Sequence, residues 1–114
     1  MADWALFLDD ERYPLNDARN WHIARNLNEA FDLMDDYGIP IHMSLDHDLG
    51  EGQRTGMDFV NLFIEDMIEQ DLEFPPGFSF YVHSQNPVGA ENMRSKLSAF
   101  FEFWIAHKAE ERGG

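Results

Sequence analysis

Met43-Ser-Leu-Asp-His-Asp-Leu-Gly50 is the stretch on which the fold turns. The apolar run Ile41 to Leu45 reads as a buried strand, and it ends abruptly in Asp46, His47 and Asp48. Leu6-Phe-Leu-Asp-Asp-Glu-Arg12 makes the same transition earlier, from the apolar Trp4 to Leu8 into the paired Asp9 and Asp10. Two buried strands that each finish in carboxylates predict one acidic pocket at the carboxyl edge of a sheet, the edge where open α/β sheets bind ligands. An ion or a phosphate group is the tenant such a pocket suits.

The flanking segments complete the pattern. Trp21-His-Ile-Ala-Arg25 is a short strand, and Phe78 to Val82 is another that runs into His83-Ser84. Asn26 with Glu29 three residues later predicts a capped helix start. Leu27, Ala30, Phe31, Met34 and Tyr37 follow at helical spacing, and Gly38 with Pro40 closes that element. Thr55 caps a second helix whose stripe is Val60, Ile64, Met67 and Ile68, with Phe59 and Phe63 beside it and Pro75-Pro76-Gly77 as the stop. A long amphipathic helix from Val88 to Glu110 buries Met93, Leu97, Phe100, Phe101, Trp104 and Ile105. Pro14 keeps Arg12 to Asn16 a loop. The resulting order, β-β-α-β-α-β-α, predicts a mainly parallel sheet with helices on its faces.

With 114 residues and 44% hydrophobic content, the chain is expected to be a single domain over 1–114 with a real core. The lack of cysteine excludes a disulfide framework, a thiolate metal site and a cysteine nucleophile. Trp4 to Leu8 is too short for a signal peptide or a membrane span, so a cytoplasmic protein is expected. The formal net charge of -14 offers no basic face for nucleic acid, and direct DNA binding is not expected. Glu65, Asp66, Glu69, Asp71 and Glu73 account for part of that charge as the solvated face of one helix. A small acidic decoy that mimics DNA charge is the other use of such a composition.

Asp9-Asp10, Asp46-His47-Asp48 and His83-Ser84 thus meet at strand ends. Two like charges about 4 Å apart at an effective dielectric near 20 repel by roughly 4 kcal/mol. A hard divalent cation removes that cost, and Mg²⁺ or Mn²⁺ prefers oxygen donors. Asp9, Asp10 and Asp46 are the expected ligands, with Asp48 a further ligand, a support to them or a loop cap. Histidine as a residue type changes charge near neutrality, which makes His47 and His83 candidate general acids or bases. Ser84 and Asn86 precede a helix N-terminus that can cradle phosphate, although Asn86 also suits a plain N-cap ahead of Pro87. Arg12 is a candidate phosphate clamp.

Leu8-Asp-Asp-Glu-Arg12 with Pro14, Ser44-Leu-Asp-His-Asp-Leu-Gly50, Thr55-Gly56 and His83-Ser-Gln-Asn-Pro-Val-Gly-Ala-Glu-Asn-Met93 resemble the cyclic-phosphate processing receiver domain family. The resemblance implies a receiver-like (flavodoxin-like) three-layer α/β fold. This chain departs from an ordinary receiver in its short sheet of about four strands, with the first helix and fifth strand reduced or missing. The resemblance implies a role in hydrolysing cyclic phosphates, of the ADP-ribose cyclic phosphate or cyclic nucleotide type, and makes Asp9, Asp10 and Asp46 the counterparts of the receiver's metal and phospho-acceptor acids. His47, Asp48, His83, Ser84 and Asn86 would be the family's own additions. An ordinary receiver also presents a lysine after its fifth strand, and no lysine here precedes Lys96.

The mechanism expected from these residues is metal-activated attack of water on a cyclic phosphate, with His47 or His83 protonating the departing oxygen. Asp46 as a covalent nucleophile stays open. So do two rival classes: a receiver-type signalling module, and a non-catalytic binder of cyclic nucleotides or of a basic protein.

Overall fold

The structure, a computed structural model, describes residues 3–113. Its elements are β1 (Ala5–Leu8), β2 (Trp21–Ala24), α1 (Leu27–Tyr37), β3 (His42–Leu45), α2 (Gly56–Glu69), β4 (Ser79–Val82) and α3 (Pro87–Gly113), in the order expected. The four strands form one parallel sheet, β2-β1-β3-β4. Leu8 pairs with Ala24 on one side and Leu45 on the other, and Leu45 pairs with Val82, so the strands finish level.

Side chains alternate between the faces of a strand, and here the two faces have different fates. Leu6, Leu8, Ala24, Met43, Leu45 and Val82 join one core with Leu27 and Ala30 of α1, Phe59 and Phe63 of α2, and Met93 and Leu97 of α3. All three helices therefore pack on that face. Ala5 and Phe7 are buried on the opposite face, outside this cluster. The three layers are thus unequal, because the chain passes from β1 to β2 through residues 9–20 without a helix, and this irregular segment is the third layer. Among the described residues no strand follows β4. Among the described residues, the first helix and fifth strand expected to be reduced or missing are both missing.

The helix starts follow from their caps. Asn26 accepts the Glu29 N–H at 2.9 Å, Thr55 and Asp58 form a reciprocal capping box, and Asn86 accepts the Gly89 N–H at 3.0 Å. Three expected core positions are instead exposed: Ile68 and Ile105 lie at the edges of their helical stripes, and Tyr37 leans on Trp4 and His22 at the rim of the sheet. α2 ends at Glu69, well before Pro75, because the chain turns at Gln70 and Asp71, the latter with φ 54°. That turn holds Lys108, a buried charge with no expectation attached to it. Its ammonium donates to the Asp71 carbonyl at 3.1 Å and to the Asp71 carboxylate, and it lies 5.2 Å from the Trp104 ring. The Asp71 carboxylate, and after it Glu111, hold the lysine above its ordinary pKa.

Candidate metal and phosphate site

The parallel ladder runs one residue past the strands. The N–H groups of Asp9, Asp46 and His83 donate to the carbonyls of Ala24, Leu8 and Leu45 at 3.1, 2.9 and 3.0 Å. Asp9, Asp46 and His83 are therefore fixed by backbone bonds at three adjacent strand ends. One donor atom from each, two carboxylate oxygens and an imidazole nitrogen, lies within 4.8 Å of the others.

Asp9 is fully buried. Its Oδ1 accepts the N–H groups of Glu11 and Arg12, both at 2.9 Å, while Oδ2 meets His83 Nε2 at 3.0 Å and Arg12 Nε at 3.2 Å. Burial pushes its pKa up. The N–H groups of Arg12 and Glu11, then His83 and the Arg12 charge, together outweigh burial and leave it below the usual carboxylate value. Asp46 is 4% exposed yet far less supported, with Arg12 Nη2 at 3.7 Å its ion-pair partner among the described residues. His83 stacks on Phe7, ring centroids 4.7 Å apart and planes 1° from parallel, and its Nδ1 lies 2.8 Å from Ser44 Oγ. A charged Asp9 is an acceptor only, so the hydrogen of that bond sits on His83 Nε2, while the Ser44 hydroxyl, able to donate or accept, meets Nδ1.

Two glycines explain why flanking elements can come so close. Gly56 begins α2 and donates its N–H to the His47 carbonyl at 2.8 Å; a Cβ there would lie 2.0 Å from the Asp46 carbonyl oxygen. A Cβ on Gly89 would lie 2.6 Å from the His47 ring, which packs on the first turn of α3.

The remaining expected site residues spread around this centre. Asp10 and Asp48 lie outside the three-residue ligand group, and with Asp46 they line an open acidic cavity of about 540 Å³ beside it. Asp10 is turned toward Gly50, and Asp48 accepts from His47 Nδ1 at 2.9 Å. Arg12 borders both carboxylates. Ser84 Oγ accepts the Asn86 N–H at 3.0 Å and Asn86 Oδ1 caps α3, which engages both in holding the loop between β4 and α3. The Asn86 amide nitrogen is 3.5 Å from His47 Nδ1. Sequence reasoning placed His83 among proton carriers and missed it as a donor grouped with the carboxylates. It also missed Ser44 behind it, a lone hydroxyl in an apolar strand that was the available signal.

A sequence model described as the cyclic-phosphate processing receiver domain matches residues 4–99. No curated protein and no solved structure gives a significant match.

Proposed function

The chain belongs to the cyclic-phosphate processing receiver domain family, and from that premise we propose that it is a metal-dependent phosphoesterase that opens a cyclic phosphate with water. The observation that carries this reading is the convergence of Asp9, Asp46 and His83 at the carboxyl edge of the sheet. Two carboxylates and an imidazole suit Mg²⁺ or, with the nitrogen donor included, Mn²⁺. A cation held there would supply Lewis acidity toward phosphate and water.

The chain's own residues would do the rest. For His83 to offer Nε2 as a lone pair its proton must move to Nδ1, and Ser44 Oγ is 2.8 Å away to accept it. Because a hydroxyl both donates and accepts, Ser44 satisfies either tautomer and keeps the ring oriented. The Arg12 guanidinium, half-exposed above the two carboxylates, can turn its outer N–H groups to phosphate oxygens. In the reaction the water oxygen bonds to phosphorus and gives up one proton to solvent, one ring P–O bond breaks, and the leaving oxygen takes a proton to become a hydroxyl. His47 is the group assigned to give that proton. Asp48 engages its Nδ1 and lines the acidic cavity, which leaves Nε2 for the substrate. Asp10, Ser84 and Asn86 shape the cavity rim and the start of α3.

The test is ³¹P NMR of cyclic phosphates incubated with the protein and Mn²⁺ or Mg²⁺. Ring opening that disappears with EDTA and in Asp46→Asn is expected. Stable substrates, with the protein instead labelled by a small phosphodonor, would support a signalling module. Neither lysine serves that rival reading, since Lys96 is bonded to Asn61 and Lys108 to Asp71.

A further inference from the structure

We infer that the groove on the helix-free face of the sheet is a nucleobase subsite, so that the substrates are nucleoside cyclic phosphates rather than bare sugar cyclic phosphates. The inference rests on the phosphoesterase reading above and names the substrate class of that same site.

The groove has a volume of about 560 Å³, the size of a small-molecule pocket. It is continuous with the phosphate site, because Arg12, Ser44 and His83 belong to its walls as well. From His83 the wall continues as rings: Phe7 stacks on His83, Trp21 meets Phe7 edge-on at 5.8 Å, and His42 meets Trp21 at 5.7 Å. Tyr81 and Tyr13 stand at the rim, 61% and 75% exposed. A groove walled by aromatic rings beside a phosphate site, with Trp21 in its wall and Tyr81 exposed at its rim, is what a planar heterocycle packs against.

The polar groups of the groove fit the same occupant. Trp21 Nε1 donates to Asp17 Oδ1 at 2.8 Å, so the indole is held by its donor and needs no partner in the ligand. His42 Nδ1 is 2.8 Å from Ser79 Oγ, which leaves Nε2 to meet a base edge. Burial first, then the Arg19 charge, outweighs nearby Asp17 and holds this imidazole below its ordinary pKa, in the neutral form. Charge is complementary too. In a chain of net charge -14, Arg12 and Arg19 both line the groove, with Asp17 paired to Arg19, against an anionic ligand. Arg25 also braces that wall: its guanidinium donates to the carbonyls of Asp9 and Arg12 at 3.0 and 2.6 Å and lies 4.8 Å from the Tyr13 ring.

The experiment compares adenosine 2′,3′-cyclic phosphate with methyl riboside 2′,3′-cyclic phosphate, which lacks the base. It uses the wild type and Tyr81→Ala, a rim substitution that removes no core side chain. The nucleoside substrate is expected to have a kcat/KM at least tenfold higher, carried mainly by KM, with most of that preference lost in Tyr81→Ala. Equal turnover of both substrates would overturn the subsite and leave the phosphoesterase standing. If neither is turned over, binding still decides. Adenosine 5′-monophosphate should shift the Trp21 indole N–H resonance in wild type, and an unmoved resonance would reject the subsite. A dimer by sedimentation that buries Trp21 and excludes the nucleotide would assign the groove to a second copy of the chain instead.

Discussion

Asp9 and Asp46 occupy equivalent ends of neighbouring strands, yet their surroundings divide the labour between them. Asp9 carries two backbone N–H bonds, His83 and Arg12, whereas Asp46 has a guanidinium nitrogen at 3.7 Å. On the proposed reading the first also braces the fold, and the second is the less supported acid, the one open to a ligand. Asp9→Asn should cost about 2–3 kcal/mol in denaturant unfolding, because it removes the charge from a buried pair while leaving one acceptor. Asp46→Asn should change stability by less than about 1 kcal/mol, since it also relieves carboxylate repulsion, while abolishing ring opening. The pH dependence separates them further. A carboxylate with a lowered folded pKa stabilises above its unfolded value, about 3.9, and loses that contribution as the pH falls toward the folded pKa. Asp9→Asn should therefore flatten the unfolding profile below about pH 4, measured by urea midpoints across pH. The sequence announced both acids through their position after apolar runs. It could not tell which was braced, because the brace is made of backbone N–H groups and of His83, distant in the chain.

At the scale of elements, the site depends on two glycines at helix starts. Gly→Ala inside a helix ordinarily stabilises by about 1 kcal/mol. Here the sign should reverse at Gly56, where the added carbon would meet the Asp46 carbonyl oxygen at 2.0 Å, a backbone atom that can move only with β3. Gly56→Ala should destabilise by roughly 3 kcal/mol or fail to accumulate folded. Gly89→Ala meets a side chain, the His47 ring, which can swing away. It should leave the thermal midpoint within a few degrees and still reduce kcat at least tenfold by displacing His47, with KM little changed. Near-wild-type kcat in a folded Gly89→Ala protein would remove His47 from the proposed chemistry. Element order and helix starts were legible because Asn26, Thr55 and Asn86 are strong N-caps followed by apolar residues at helical spacing. Helix faces were legible only to within a stripe: Ile68 and Ile105 have the right residue type but sit past the edge of the sheet. The burial of Lys108 was not legible at all, since it depends on the positive φ of Asp71.

The whole molecule is a sheet with helices on one face, an irregular segment on the other and an acidic carboxyl edge, and its helix-free face was the hardest feature to foresee. In β1 every residue from Ala5 to Leu8 is apolar and buried, so the strand gives no alternation from which to learn that Leu6 and Leu8 meet helices while Phe7 faces a groove. The missing first helix left its trace in the proline and polar residues of 12–20, which said loop without saying what the loop covers. The same architecture sets the expected response to cations. The chain carries a net charge of -14, and at its carboxyl edge two buried carboxylates share one guanidinium. A divalent ion bound to the folded state alone should add about 2.7 kcal/mol at a hundredfold excess over its Kd. For a domain of this size that is on the order of 10 °C in Tm. General screening of the acidic surface will raise Tm in any salt, so the comparison must be made against NaCl at equal ionic strength. The divalent-specific increment should vanish in Asp46→Asn, whose surface charge is almost unchanged. If Mn²⁺ and matched NaCl raise Tm equally in the wild type, the strand-end acids bind no cation, and Arg12 alone neutralises them.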